Sequence, residues 1–348
     1  MKVLFIGGTG TISMAISKKL LSEGHELYLL NRGNRQKELP EGAVSLTADI
    51  HDADRAREIL EGHHFDVAAD FIGYTQEDME RDYNLLYGKT DQYIFISSAA
   101  AYKKPYTNYP ITEGTPLYNP SWKYAQNKTL CEEYLMKKYR ENGYPVTIVR
   151  PSQTYDERRI PFGIQGDAGC WQIIKRMKEG KPVLIPGDGT ALWTVTHSSD
   201  FAKGFVGLMG NKHAIGEAVQ ITSDEILTWN QIYDLTAEAL GVKLNPVHVA
   251  SDFWAECTDF DYNAGLLGDR RYSVVLKNDK LKQLVPDFVA TKRFDQAVKE
   301  NVAFLESHPE YQVEDPEFDR FCDKVLEGLE KAKAYIRCGM TPASIGGE

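Results

Sequence analysis

Short apolar runs alternate with amphipathic stretches through the first half of the chain. Runs that are rich in β-branched and aromatic residues predict strands at positions 3–6, 26–30, 44–46, 67–71, 93–97 and 146–150. Stretches with helical periodicity lie between most of them, at positions 12–22, 53–60, 76–87 and 124–142. Strands that alternate with helices are joined by crossovers, and such crossovers build a parallel sheet. The sequence therefore predicts an α/β fold with a doubly wound parallel sheet.

Beyond Pro151 the alternation becomes less regular. Further strands are predicted at positions 182–185, 192–197, 218–221 and 246–249, and helices at positions 169–179, 200–209 and 229–240. The C-terminal part is acidic, with amphipathic helical stretches at positions 294–305 and 316–335. We expect a smaller, mixed α/β C-terminal lobe beside the parallel sheet, with a cleft between the two.

The composition is typical of a soluble globular protein, with 42% hydrophobic and 26% charged residues in a chain of 348. The five cysteines are dispersed and form no Cys-x-x-Cys motif, which argues against a disulfide framework or a zinc site. No apolar run approaches the length of a membrane span. These features predict a cytoplasmic protein without membrane association. The formal net charge of −10 also disfavours nucleic-acid binding, because an acidic surface repels phosphates.

The first predicted strand ends at a cluster of glycines, and a helical pattern follows at once. The spacing is Gly7-x-x-Gly10-x-x-Ser13, with a serine where a third glycine often lies. Glycines let the backbone turn tightly and approach a pyrophosphate closely, and the helix then directs its free N–H groups at the anion. A plain tight turn between strand and helix is the alternative. The order of strand, glycines and helix favours a dinucleotide site.

Tyr124 and Lys128 lie four residues apart and therefore on one face of a predicted helix. A phenol ordinarily titrates near about 10, and a neighbouring ammonium lowers that pKa, so the pair can act as an acid–base unit. Tyr134 and Lys138 repeat the spacing in the same helix, so spacing alone does not identify the reactive pair.

Ser97 and Ser98 follow the apolar run that begins at Tyr93. The carboxyl ends of parallel strands face the ligand crevice of a doubly wound sheet, so a hydroxyl there can hold a substrate oxygen beside Tyr124. The alternative is that these serines only cap a turn or helix.

Together the glycine motif, the segment from Ile96 to Tyr102 and the pair Tyr124-x-x-x-Lys128 resemble the extended short-chain dehydrogenases/reductases, the NAD-dependent epimerase/dehydratase family. Five segments are most similar to an atypical branch, that of the chloroplast stem-loop RNA-binding proteins. They lie at positions 5–9, 31–33, 92–98, 185–189 and 221–224. The resemblance implies a Rossmann fold and an enzyme that uses a nicotinamide cofactor.

The resemblance also implies roles for individual residues. Ser98 would position the substrate oxygen, Tyr124 would be the acid–base group, and Lys128 would hold the nicotinamide ribose. The cofactor would contact Gly7, Thr9, Gly10, Thr11, Ile12, Asn31, Arg32, Arg35, Asp49, Ile50, Phe71, Ser97, Tyr124, Lys128, Pro151 and Ser152. The substrate would contact Tyr74, Ala99, Tyr102, Gln153 and Trp193. No metal is expected, because the pair His63-His64 lacks companions at metal-ligand spacing.

The domain boundaries follow from these assignments. We expect residues 1–160 and 195–222 to form the dinucleotide-binding domain, and residues 161–194 and 223–338 to form the smaller substrate lobe. Residues 339–348 are small and polar and are expected to be a flexible tail.

Two departures from the sugar-nucleotide enzymes of the family change the expected ligands. The second predicted strand ends in Asn31-Arg32 instead of an acidic residue, which favours NADP(H) over NAD(H), although Arg32 and Arg35 can also be solvated loop charges. Trp193 stands where an arginine usually binds the substrate diphosphate. Unless Arg270 or Arg271 reaches the site, nucleoside-diphosphate sugars should bind poorly. The tryptophan can stack on a sugar ring or fill the core.

The function favoured by the sequence is that of an NAD(P)-dependent oxidoreductase or epimerase, acting on a hydroxyl or carbonyl carbon of a sugar-like small molecule. Reduction and epimerisation use the same residues, so the sequence leaves both open. The alternative is an RNA-binding or scaffold protein on a dehydrogenase-like fold. The acidic charge and the presence of Ser98, Tyr124 and Lys128 weigh against that alternative. A homodimer through the helix at positions 125–140 is possible by analogy with the family.

Overall fold

The computed structural model describes residues 1–34, 39–257 and 262–339. Its strands are β1 Lys2–Ile6, β2 Glu26–Asn31, β3 Val44–Thr47, β4 Val67–Asp70, β5 Tyr93–Ile96, β6 Val146–Pro151, β7 Gln153–Tyr155, β8 Val183–Pro186, β9 Leu192–His197, β10 Ala218–Ile221, β11 Ile226–Thr228 and β12 Pro246–Val249. Its α-helices are α1 Thr11–Ser22, α2 Ala53–Ile59, α3 Gln76–Leu86, α4 Lys123–Asn142, α5 Trp171–Lys178, α6 Ser198–Leu208, α7 Trp229–Leu240, α8 Ser251–Cys257, α9 Tyr262–Gly265, α10 Asp279–Leu284, α11 Phe294–Ser307 and α12 Pro316–Gly339. A π-helical turn, Leu266–Arg270, follows α9.

Seven strands form one parallel sheet in the order β10-β6-β5-β4-β1-β2-β3. From β1 the chain moves first to the β3 edge and then, starting with β4, to the β10 edge. The strand order therefore reverses between β1 and β4, where a doubly wound sheet opens a crevice beyond the carboxyl ends of its strands. The predicted fold, a doubly wound Rossmann sheet, is confirmed.

Helices cover both faces of this sheet, because the strands are apolar on both faces. Val3 and Phe5 contribute to one core with side chains of α1 and α6. Leu4 and Ile6, which point to the opposite face, contribute to a second core with side chains of α3 and α4. Fully burying one such side chain contributes about 1.5–3 kcal/mol, so these two cores hold α1 and α4 firmly against the strands that carry the site.

A third core lies in the C-terminal lobe, where β8 pairs with β12 and β9 lies between β7 and β11. Trp193, Trp229 and Trp254 are among its largest buried side chains. Sequence periodicity did not predict β7 and β11, which are three residues long and too short to show an alternating pattern. It also did not predict α8, α9 or α10.

The predicted division into domains stays a prediction. The boundary expected after position 194 falls inside β9, which pairs with β7 and β11 outside the seven-stranded sheet. α12 includes Gly339, the first residue of the expected tail, and residues 340–348 lie outside the described residues. None of the described helices combines the length and the apolar character that crossing a bilayer requires.

Candidate active site

The turn between β1 and α1 has the geometry that its glycines predict. Gly7 and Gly8 have φ angles of 91° and 122°, in the region that side chains disfavour. A Cβ at Gly7 would lie 2.9 Å from Cγ2 of Ile72. Ser13 replaces the third glycine and stabilises the turn, because its Oγ accepts a hydrogen bond of 2.9 Å from the N–H of Gly10. The turn leads directly into the N-terminus of α1, whose free N–H groups favour an anion such as a phosphate.

A cavity of about 590 Å³ adjoins this turn at the carboxyl ends of β1, β2 and β4. The predicted cofactor residues in its lining are Gly7, Thr9, Asn31, Arg32, Asp49 and Ile50. Arg35, also predicted for the cofactor, lies outside the described residues. Asn31 Oδ1 accepts from the N–H of Gly33 at 2.9 Å, whereas its buried Nδ2 has no partner among the described residues. The glycine turn and this unpaired donor fit an adenosine moiety with its phosphates.

Two smaller cavities, of about 220 and 280 Å³, lie on the other side of the glycine turn. Ser98 and Tyr124 line both of them. Ser98 follows β5 and caps a short 3₁₀-helix, because its Oγ accepts from the N–H of Ala100 at 3.1 Å. Tyr124 lies in the first turn of α4. Burial raises the pKa of Tyr124 to about 12, and a hydrogen bond with Ser98 acts in the opposite direction. The phenol is therefore protonated at neutral pH.

Lys128 lies behind Tyr124 and is 2% exposed. Its Nζ donates to the carbonyl oxygens of Gly73 and Ile96, each at 2.7 Å, and lies 5.8 Å from the centre of the Tyr124 ring. Burial lowers the pKa of Lys128 to about 8. Tyr74 lines the larger cavity and packs between the two sites, since its ring centre is 6.2 Å from that of Tyr124.

Most of the remaining predicted residues lie in the lining of the Ser98–Tyr124 cavities. These residues are Thr11, Ile12, Ala99, Pro151, Ser152, Gln153 and Trp193. Trp193 is only 2% exposed and packs on Trp229, with 4.9 Å between ring centres. Its role as a substrate contact stays a prediction.

Three predicted residues have side chains that are engaged elsewhere. The hydroxyl of Ser97 donates to Glu132 at 2.5 Å. The phenol oxygen of Tyr102, a fully buried residue, accepts from Arg150 at 3.1 Å. Phe71 packs on Phe5 in the core, with 4.8 Å between ring centres.

Arg159 and Trp122 are among the side chains of the Ser98–Tyr124 cavities that sequence analysis did not identify. Arg159 follows β7, and together with Arg270 it lines the cavity that contains Ser98 and Tyr124. Trp122 precedes α4, and its ring centre lies 4.9 Å from that of Tyr124. No motif marks either residue, because each lies in a loop whose position depends on the tertiary fold.

Arg270 reaches the cleft, whereas Arg271 forms an ion pair with Asp252 outside it. Neither Arg159 nor Arg270 forms an ion pair with a carboxylate in the described part of the chain. Asp269, the neighbour of Arg270 in sequence, is paired with Lys104 at 2.6 Å. Burial and the charge of Arg159 lower the pKa of Arg270. Two guanidinium groups thus line one cleft, and Asp269, which also lines it, is paired with Lys104.

Residues 3–222 match the model of the NAD dependent epimerase/dehydratase family. A 2'-dehydrokanamycin reductase of Streptomyces kanamyceticus is 26% identical over 256 residues, which are 74% of this chain and 71% of that protein. A chloroplast stem-loop binding protein of 41 kDa from Arabidopsis thaliana is 28% identical over 253 residues, 69% of this chain and 63% of that protein.

Among solved structures, the fold is similar to that of dTDP-glucose 4,6-dehydratase from Bacillus anthracis in complex with NAD. The TM-score is 0.70, the sequence identity is 18%, and the match covers 89% of this chain and 98% of that chain.

Proposed function

The chain belongs to the NAD dependent epimerase/dehydratase family, and from this premise we propose that it catalyses oxidoreduction at a hydroxyl or carbonyl carbon of a sugar-like molecule. The family binds a nicotinamide cofactor, so membership gives the class of cofactor. The observation that carries the proposal is the convergence of Ser98 and Tyr124 on one cavity, with Lys128 behind them and the glycine turn beside them.

Tyr124 is the acid–base group of the proposed reaction. Its pKa of about 12 in the free protein means that it carries its proton at neutral pH, ready to protonate a carbonyl oxygen during reduction. Ser98 holds that oxygen, and the ammonium of Lys128 favours the phenolate that forms. The bound nicotinamide supplies hydride transfer. Epimerisation would use the same residues in both directions, and the substrate decides between the two outcomes.

Asn31 and Arg32 favour NADP(H) in this proposal. The cavity beside the end of β2 contains the exposed Arg32, and Asn31 stands where an acidic side chain would hold the ribose hydroxyls of NAD. A cationic side chain there would pair with a 2'-phosphate, whereas an acidic one would repel it.

Arg159 and Arg270 narrow the class of substrate. A neutral sugar would leave both guanidinium groups without an anionic partner from the ligand, whereas a phosphate or carboxylate group would supply one. The expectation of poor binding by nucleoside-diphosphate sugars assumed that no arginine replaces the one missing at Trp193. Because Arg270 lines the cleft, we propose a sugar-like substrate that carries an anionic group, with Trp122 beside its ring.

A second candidate function is RNA binding, because the relative from Arabidopsis thaliana is named as a stem-loop binding protein. The net charge of −10 opposes it, because affinity for nucleic acid rests mainly on paired phosphates. The acid–base residues of the cleft would also have no role in such a protein.

The first experiment uses the whole purified chain. Its absorbance spectrum distinguishes bound nicotinamide from co-purified RNA. A panel of keto sugars with neutral or anionic substituents is then assayed with NADPH and NADH, by following the loss of absorbance of the reduced cofactor. We expect turnover of an anionic keto sugar. Tight binding of an RNA stem-loop by a protein that binds neither cofactor would contradict the proposal.

A further inference from the structure

Asp70, at the end of β4, is connected to Lys128 through a single residue, Gly73. Asp70 Oδ1 accepts hydrogen bonds from the N–H groups of Ile72 at 2.8 Å and Gly73 at 3.0 Å. The carbonyl oxygen of the same Gly73 accepts from Lys128 Nζ at 2.7 Å. A Cβ at Gly73 would lie 2.1 Å from Asp70 Oδ2, so only glycine fits between the carboxyl and the ammonium. The backbone of Gly73 is thus fixed from both sides.

The other oxygen of Asp70 receives no hydrogen bond from the described part of the chain. Oδ2 is buried and has no hydrogen-bond partner among the described residues. It belongs to a side chain that is 0% exposed and faces the carboxyl of Asp82, which is also 0% exposed. Asp82 accepts from the O–H of Tyr93 at 2.7 Å and from Nε of Arg81 at 2.9 Å. A buried carboxyl that has one oxygen without a donor and faces a second carboxyl is disfavoured as an anion, so a proton is expected on Asp70.

The charged groups around Asp70 and Asp82 do not supply a cation that would keep Asp70 ionised. The charged and titratable groups around the pair come from α3 (Asp78, Arg81 and Asp82), from α4 (Lys128, Cys131 and Glu132) and from the phenols of Tyr74, Tyr93 and Tyr144. Arg81 is shared between Asp78 and Asp82, at 2.8 and 2.7 Å. Glu132 is paired with Arg150. Burial, and then the charge of Asp82, raise the pKa of Asp70 well above its ordinary value.

We propose that Asp70 is protonated, with its O–H directed at Asp82, and that this neutral carboxyl is a positioning residue that holds Lys128 through Gly73. This rests on the proposed function of Lys128 beside Tyr124. An ionised Asp70 would compensate the charge of the ammonium and weaken its effect on the phenolate of Tyr124. A neutral Asp70 fixes the carbonyl that Lys128 binds and leaves the positive charge directed at the active site.

Asp70→Asn is the informative variant, because an amide reproduces a protonated carboxyl. Its oxygen can accept from Ile72 and Gly73, and its NH₂ can donate to Asp82. Infrared spectroscopy at pH 7 should detect the carbonyl stretch of a protonated carboxylic acid in the wild type and not in Asp70→Asn. The control is Asp54→Asn, which replaces an exposed carboxylate and should leave the band in place. This readout does not depend on activity, so it separates failure of this inference from failure of the proposed function.

The pH profile of kcat/KM tests the role of the proton. In the wild type we expect activity to fall above a pH of about 8, as Lys128 loses its proton. In Asp70→Asn the midpoint of this fall should lie within about 0.3 pH unit of the wild-type value, and kcat should change by less than about threefold. Asp70→Ala removes the hydrogen-bond acceptor for the N–H of Gly73 and should lower kcat at least about tenfold. If Asp70 were ionised, its replacement by Asn would remove a negative charge near Lys128 and move the midpoint to lower pH. That shift, or a carboxylic acid band that persists in Asp70→Asn, would overturn the inference. The infrared measurement and the pH profile both use Asp70→Asn, so they do not depend on whether Asp70→Ala folds.

Discussion

Glu132 and Arg150 form a bidentate ion pair beneath the candidate active site, with N–O distances of 2.9 and 2.5 Å. Glu132 lies two turns beyond Tyr124 on α4, and Arg150 directly precedes Pro151 in β6. Both side chains are almost fully buried. The pair therefore ties the helix that carries the acid–base group to the strand that lines the other side of the cleft. It also explains why the hydroxyl of Ser97 points away from the cleft, since that hydroxyl donates to Glu132.

Glu132→Gln should destabilise the protein strongly. The substitution keeps the shape but leaves the Arg150 guanidinium buried without its counter-charge, which typically costs about 3–5 kcal/mol. The free energy of unfolding, measured with urea, should fall by that amount. Glu133→Gln, at the exposed neighbouring position, should change it by less than about 0.5 kcal/mol. Equal effects of the two variants would mean that the ion pair does not stabilise the fold.

Tyr124→Phe should abolish most of the turnover and leave cofactor affinity almost unchanged. The ring remains, but the transferable proton is lost, and positioned acid–base catalysis contributes on the order of 10²–10⁴ in rate. Tyr134→Phe is the matched control, because Tyr134 has the same spacing to a lysine and burial raises its pKa to about 12 as well. Steady-state kinetics with both variants decide the assignment, which is wrong if Tyr134→Phe loses as much activity as Tyr124→Phe.

The contrast between Tyr124 and Tyr134 shows which parts of the site could be predicted from the sequence. Periodicity and glycine spacing predicted β1, the glycine turn and α1, because those features depend on local backbone preferences. Ser98 could be placed at the crevice, since the carboxyl ends of parallel strands meet at one edge of the sheet, and the resemblance to the family paired it with Tyr124.

Arg159 and Arg270 could not be paired from the sequence, because they come from a loop and a π-helical turn more than a hundred residues apart. Likewise, Asp70 is unremarkable in the sequence. Its unpaired oxygen becomes visible only once α3 brings Asp82 against it. Local pattern thus predicts the elements and the cleft, while loop-borne charges and buried carboxyl pairs depend on the tertiary fold.

NADP(H) should bind more tightly than NAD(H). A hydrogen bond to a charged group contributes roughly 1.5–3 kcal/mol, so Arg32 should give a preference of about tenfold to a hundredfold. Calorimetric titration of both cofactors measures it, and Arg32→Ser should remove most of the difference. Arg55→Ser, on the exposed face of α2, should not. Equal affinity for the two cofactors in the wild type would leave Arg32 as a surface charge.

The stability contribution of Lys128 should depend on pH with a defined sign. Its pKa is lowered from 10.5 to about 8 in the folded protein, so between these values the unfolded chain binds more protons than the native state. The cost of burying the ammonium is therefore present below a pH of about 8 and is lost as the pH rises towards 10.5. Relative to Lys128→Met, the wild type should gain free energy of unfolding over this range in urea titrations. A wild type that loses stability relative to Lys128→Met over this range would contradict the assignment.

Arg159 and Arg270 should decide which sugar-like ligands bind to the cofactor-loaded protein. Both guanidinium groups line the cavity of Tyr124, and neither is paired with a carboxylate of the described residues. An anionic ligand therefore gains charge-assisted hydrogen bonds that a neutral sugar lacks. Calorimetry should therefore rank a sugar phosphate and UDP-glucose above glucose. Arg270→Gln should weaken the anionic ligands about tenfold to a hundredfold, as expected for the loss of one charged hydrogen bond, and leave glucose unaffected. Arg271→Gln is the matched control, because the neighbouring guanidinium is already paired with Asp252. Tighter binding of glucose than of its phosphate would exclude an anion site in the cleft and return Trp193 and Trp122 to consideration as the main ligand contacts.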